Sequence, residues 1–150
     1  MARKFILSWE DINNIVIDLN FKTREGEHGK IGVIGISRGG LVPAVMLSHL
    51  KQAAYFSTVG IKSYNSQTKE KETVYQSPDL SAIEDLDTVY LVDDICDTGG
   101  TLKYLKDNLF ISNKVKTISL IYKKNSVFTP DYYGYEVDKK FWVDFPFEMC

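Results

Sequence analysis

Apolar and polar positions follow two periods along this chain, switching between them at turns that carry glycine. Ile12, Ile15, Val16 and Leu19 recur at helical spacing behind Ser8 and Asp11, which are placed as a capping box, and predict an amphipathic first helix with Trp9 packed against the body. TREGEHGK, around Gly26 and Gly29, is polar and turn-rich and predicts a loop. Ile31, Val33, Ile34 and Ile36 predict a strand, Ser37-Arg38-Gly39-Gly40 breaks it, and Leu41 to Leu50 predicts a helix that tolerates Pro43 in its first turn. Tyr55, Ser57, Val59 and Ile61 suggest another strand. Val89 to Val92 is an unbroken apolar run suited to a strand buried on both faces, and Leu102, Leu105 and Leu109 mark a helix after it. Lys116 to Tyr122 and Tyr132 to Val137 predict the last strands. Strands alternating with helices imply an α/β fold, a mainly parallel sheet flanked by helices.

The polarity flips abruptly after Val92. Asp93 and Asp94 stand side by side, and Ile95, Cys96, Asp97, Thr98, Gly99, Gly100 and Thr101 lead into the helix. Ligands of open α/β sheets bind at the carboxyl ends of strands. A Gly- and Thr-rich turn opening a helix can aim backbone N–H groups at one point, where the helix dipole favours an anion such as phosphate. The paired carboxylates suit another task, holding Mg²⁺ or accepting hydrogen bonds from sugar hydroxyls. The competing view is a solvated Asp-rich turn capped by Thr98, with the glycines present for turn geometry alone. Strand, acid pair, third acid and helix in this order favour the functional view.

Composition narrows the picture. The 150 residues, 44% hydrophobic, fit one domain over 1–150. A formal charge of −2 with no Lys/Arg cluster gives no footprint for nucleic acid, so an anionic substrate must be captured by local geometry. Cys96 and Cys150 have no metal spacing, His28 and His49 lie apart, and no membrane-length or signal-peptide run is present, which points to the cytoplasm. Cys96 is expected to be a small buried thiol. The polar stretch 63–77, preceded by Lys62 and containing Lys69 and Lys71, is a candidate lid or a surface hairpin.

VYLVDDICDTGGT resembles the 5-phosphoribosyl-1-pyrophosphate (PRPP) motif of the type I phosphoribosyltransferases, and ISRGGLVPA resembles the pyrophosphate loop of their bacterial xanthine-guanine members. The likeness runs nearly end to end, from FILSW to FWVDFPFEM, and is weakest over 62–88. It implies that Asp93 and Asp94 contact the ribose hydroxyls with Mg²⁺ nearby, Asp94 being the metal contact. It implies that Asp97 to Thr101 wraps the 5′-phosphate, and that Ser37, Arg38 and Gly39 bind pyrophosphate, with a cis peptide between Ser37 and Arg38. The family places a Lys at the end of the following strand to meet the purine 6-oxo group, which aligns with Lys123. Trp142 would stack on the base, and Val143 and Asp144 would offer backbone groups to its 2-substituent edge. A loop Arg of the relatives has no counterpart here, and Lys69 or Lys71 would have to replace it. Many relatives also continue past the position of Glu148.

The reaction implied is transfer of the phosphoribosyl group of PRPP to guanine or xanthine, with hypoxanthine weaker, and Asp97 as general base. A small hood is expected mainly from 125–150, and the assembly is expected to be a homodimer or homotetramer, with Tyr132 and Tyr133 as candidate interface aromatics. Two other functions fit the same motif: a PRPP-binding regulator without useful catalysis, and a phosphoribosyltransferase for another acceptor.

Overall fold

A computed structural model describes residues 3–62 and 72–148. The elements in chain order are β1 (Arg3–Ile6), α1 (Trp9–Lys22), β2 (Ile31–Ser37), α2 (Leu41–Leu50), β3 (Tyr55–Lys62), β4 (Thr73–Gln76), α3 (Leu80–Glu84), β5 (Thr88–Cys96), α4 (Gly100–Asn108), β6 (Val115–Lys123), β7 (Tyr132–Val137) and β8 (Phe141–Asp144). Short 3-10 turns at Arg24–Gly26 and Pro146–Glu148 complete the described chain.

Six strands form one sheet in the order β4-β3-β2-β5-β6-β7, parallel throughout except for β4 against β3. Alternate residues of its central strands enter opposite cores. Val33, Tyr90, Val92, Ile118 and Leu120 face α1 and α2, while Ile34, Ile36, Leu91 and Val89 join Leu102 and Leu105 of α4 on the other side. Burial on both faces explains why these strands read as continuous apolar runs. The capping box of α1 forms as the sequence suggests, with Ser8 Oγ accepting from the Asp11 N–H at 3.1 Å and Asp11 Oδ2 accepting from the Ser8 N–H at 2.8 Å.

Several features depart from the sequence expectation. β5 runs on through Asp93 to Cys96, because β6 supplies ladder partners to its polar end, Asp93 opposite Ser119 and Cys96 opposite Tyr122. The end of the candidate lid is a strand, β4, pairing with β3 as an edge hairpin; residues 63–71, with Lys69 and Lys71, lie outside the described residues. Within 125–150, β7 belongs to the main sheet, and β8 forms a separate two-stranded parallel sheet with β1 at the other end of the chain. Tyr132 and Tyr133 are partly exposed and pack on the two cores, Tyr133 against the Tyr122 ring at 5.0 Å.

The topology positions the site. From β2 the chain crosses through α2 to β3 on one side, and from β5 through α4 to β6 on the other. The carboxyl ends of β2 and β5 therefore flank the point where the winding reverses, the usual crevice for a ligand in such sheets.

Candidate active site

Both glycine turns singled out in the sequence stand at that crevice. The turn after β2 carries a cis peptide between Ser37 and Arg38, with Arg38 exposed. A Cβ added to Gly39 would fall inside the Asp94 carboxylate, so glycine here lets the first turn close directly onto the acid pair of the second. The Asp94 N–H donates to Asp93 Oδ1 at 2.9 Å and the Ile95 N–H to Asp94 Oδ1 at 2.8 Å.

The acid pair is electrostatically frustrated. Burial pushes the Asp93 carboxyl well above the usual carboxylate range, and the neighbouring Asp94 charge adds to the effect. Burial also raises Asp94. Glu148 is raised as well, first by desolvation and then by the charges of Asp94 and Asp144. A cleft of about 500 Å³ lies beside the pair, lined by Arg38, Gly39, Val42, Phe147 and Glu148. The 3-10 turn after β8 thus closes the site opposite the Arg38 loop. Phe147 and Glu148 lie in the FWVDFPFEM stretch that carries the family likeness, although the resemblance assigns only Trp142, Val143 and Asp144 of it to the site.

The second turn folds around a smaller hollow of about 80 Å³, lined by Asp93, Ile95, Cys96, Asp97, Thr98, Gly99, Thr101 and Leu102. Gly99 adopts the left-handed conformation (φ 88°) and starts α4 without a capping side chain, which leaves the positive end of the helix facing the hollow. Thr98 does not cap α4; its Oγ1 accepts from the Gly100 N–H at 3.3 Å. The hollow has the size and polarity for one tetrahedral anion. Cys96 is buried, with its Sγ–H directed at Phe128 O at 3.3 Å and its thiol pushed up to about 11 by desolvation, so it packs rather than reacts.

Lys123 ends β6 in a nearly buried position, its Nζ 3.5 Å from Oδ1 of the exposed Asp97 carboxylate. A ligand that offers an acceptor to Lys123 and a donor to Asp97 on adjacent atoms would be read by both.

Trp142, Val143 and Asp144 stand on β8 in the small sheet. Trp142 is 60% exposed, leaving its ring available for stacking, and its Nε1–H donates to Asp144 Oδ1 at 2.9 Å. Asp144 also accepts the Leu7 N–H on its carbonyl at 3.0 Å and lies 3.7 Å from the Lys4 ammonium. The Val143 side chain belongs to the core. A further residue the sequence left unremarked is Tyr75 on β4, whose hydroxyl lies 3.3 Å from Ser37 Oγ. Among the described residues no three His, Cys, Asp or Glu side chains converge to cage a metal, and no helix is long and apolar enough to cross a membrane.

Comparison with known proteins fits this geometry. Residues 5–149 match the phosphoribosyl transferase domain family. The chain is 31% identical to a xanthine-guanine phosphoribosyltransferase of Idiomarina loihiensis over 98% of its own length and 88% of the relative's. Its fold superposes on a purine phosphoribosyltransferase of Pyrococcus horikoshii with a TM-score of 0.81 and 32% identity, covering 98% of this chain and 95% of that one. The xanthine-guanine-hypoxanthine phosphoribosyltransferase of Helicobacter pylori gives the same TM-score and coverage at 20% identity, a likeness of fold alone.

Proposed function

The chain belongs to the phosphoribosyl transferase domain family, and from that premise we propose that it is a purine salvage enzyme transferring the phosphoribosyl group of PRPP to a 6-oxopurine. The observation that carries the acceptor class is the Lys123–Asp97 pair at 3.5 Å. Lys123 donates to the 6-oxo oxygen, and Asp97 faces N7 on the same edge of the base as general base. A 6-amino purine would set a donor against the Lys123 ammonium and is disfavoured.

The purine N9 forms its bond to C1′ of the sugar as the C1′–pyrophosphate bond breaks, pyrophosphate takes the electron pair, and the purine proton leaves to Asp97. Positive charge develops on the sugar and negative charge on the leaving group, so fixed charges and dipoles are the main catalytic device. The Asp97 to Thr101 turn and the α4 N-terminus hold the 5′-phosphate in the smaller hollow. Asp93 and Asp94 accept from the ribose hydroxyls, while Ser37, Arg38 and Gly39 hold pyrophosphate in the larger cleft. Trp142 stacks on the base, with the Val143 and Asp144 backbone at its 2-substituent edge.

Mg²⁺ suits the donor set: hard oxygen ligands, and an acid pair whose mutual repulsion a cation relieves. With no three-ligand cage among the described residues, Asp94 would hold the ion together with substrate oxygens, the ordinary mode for Mg²⁺. When bound it neutralises charge on the leaving pyrophosphate.

Pyrophosphate release from PRPP with guanine, xanthine, hypoxanthine, adenine or uracil tests the function. The expected result is Mg²⁺-dependent turnover with guanine and xanthine, less with hypoxanthine, and none with adenine or uracil. PRPP binding without turnover on any base would replace the transferase with a PRPP-binding regulator.

We also infer a homodimer or homotetramer. α2 reads LVPAVMLSHL, with no Asp, Glu, Lys or Arg, yet leaves Val45 and Leu50 exposed, and Phe56 of β3 is exposed too. A helix apolar all round is normally covered. Light scattering is expected to show an oligomer that Val45→Glu dissociates; a wild-type monomer at micromolar concentration rejects the assembly.

A further inference from the structure

We infer that Ser126 is a positioning residue that sets the phosphate turn against Lys123, so that the purine and PRPP halves of the site keep one fixed spacing; this rests on the function proposed above. β5 and β6 pair as far as Cys96 opposite Tyr122. The next residues on the two strands are Asp97 and Lys123, the pair proposed to read the base, and no ladder register joins them. Their side chains do not fix the spacing either, since 3.5 Å is a loose ion pair and the Asp97 carboxylate is 54% exposed.

Ser126 occupies the gap. Its Oγ lies 3.3 Å from Cys96 O and 2.7 Å from Lys123 O, and it also approaches Asp97 O. The hydroxyl has one proton to share among the three carbonyls, and in that place it stands in for the missing ladder. Neighbours extend the brace. The Val127 N–H donates to Thr98 O at 2.9 Å, and the Cys96 thiol points at Phe128 O. A Cβ on Gly99 would come within 2.7 Å of the Phe128 nitrogen, so the turn also lies tight against the left-handed residue that starts α4. Asn125, at φ 69°, turns the chain back from Lys123 into this position. One short segment therefore touches Cys96, Asp97, Thr98 and Gly99 on one side and the Lys123 backbone on the other, while Ser126 itself does not line the hollow.

Ser126→Ala removes the shared proton and keeps the backbone. Small displacements of reacting groups are costly, up to about 10²-fold for 1 Å, and the remaining Val127 contact should limit the shift. The expected result is a fall in kcat/KM of roughly 10-fold, with KM raised for both PRPP and the purine. Ser126→Thr, which keeps a hydroxyl, should recover most of it. A role in folding alone would lower the active fraction, and with it the apparent kcat, while leaving both KM values at the wild-type level; that outcome overturns the inference. PRPP binding by calorimetry with no purine present gives an independent reading. Weaker PRPP binding by Ser126→Ala supports the brace even where the wild type turns over no purine, a result that rejects the transferase reading alone. Equal PRPP affinity of the two proteins rejects the brace.

Discussion

Asp97→Asn is expected to lower kcat by roughly 10²–10⁴-fold at saturating PRPP and guanine, the range typical for loss of a positioned general base. Asn keeps the size and can still accept from the Lys123 ammonium 3.5 Å away, so the base should remain recognised while its proton has no acceptor. The Asp97 main chain, which lines the phosphate hollow, is unchanged, and PRPP binding should survive. The decisive comparison is single-turnover rate against PRPP affinity. A variant that turns over near the wild-type rate would remove Asp97 from the chemistry and leave it as a partner of Lys123 only.

The turn that carries Asp97 was legible in the sequence because its pattern is local, whereas the general-base role comes from the family resemblance. A buried strand, an acid pair, a third acid, two glycines and a helix follow one another within Thr88 to Leu105. The two glycine turns came together for a topological reason, since parallel strands joined by helices put all their carboxyl ends on one edge. What stayed hidden depends on contacts distant in sequence. β1 was not foreseen because RKFI has little pattern of its own and is a strand by pairing with β8. α3 has five residues, too few to show a period, and is marked only by Asp79 Oδ1 accepting from the Ser81 N–H. Ser126 reads as an ordinary residue in a KKNS turn until β5 is placed beside it. Glu148 and Phe147 enter the site only because the small sheet folds back over the Arg38 loop.

Asp93→Asn should produce opposite changes in stability and binding. Burial and the Asp94 charge raise the Asp93 carboxyl well above its unfolded value, so over the window between the two values the native state holds more protons than the unfolded chain. Stability then falls as pH rises through that window from about 4, where an unfolded Asp titrates. The cost is absent below it and complete once pH passes the raised folded value. Asn carries no such cost. The variant is expected to melt about 2–4 °C above wild type near neutral pH, the shift about 1 kcal/mol gives a chain of this size, and the gap should close as pH approaches 4. PRPP affinity should move the other way, by roughly 10–100-fold, the worth of one hydrogen bond to a charged acceptor. Thermal melts of both proteins from pH 4 to 8, with PRPP titrations at pH 7.5, check both halves. Equal melting temperatures across the range would mean that the Asp93 charge carries no net cost in the folded protein, whereas unchanged PRPP affinity would remove Asp93 from the ribose contacts. With both expected results in hand, the acid pair is maintained against its own repulsion because ligand binding, and not the free fold, requires it.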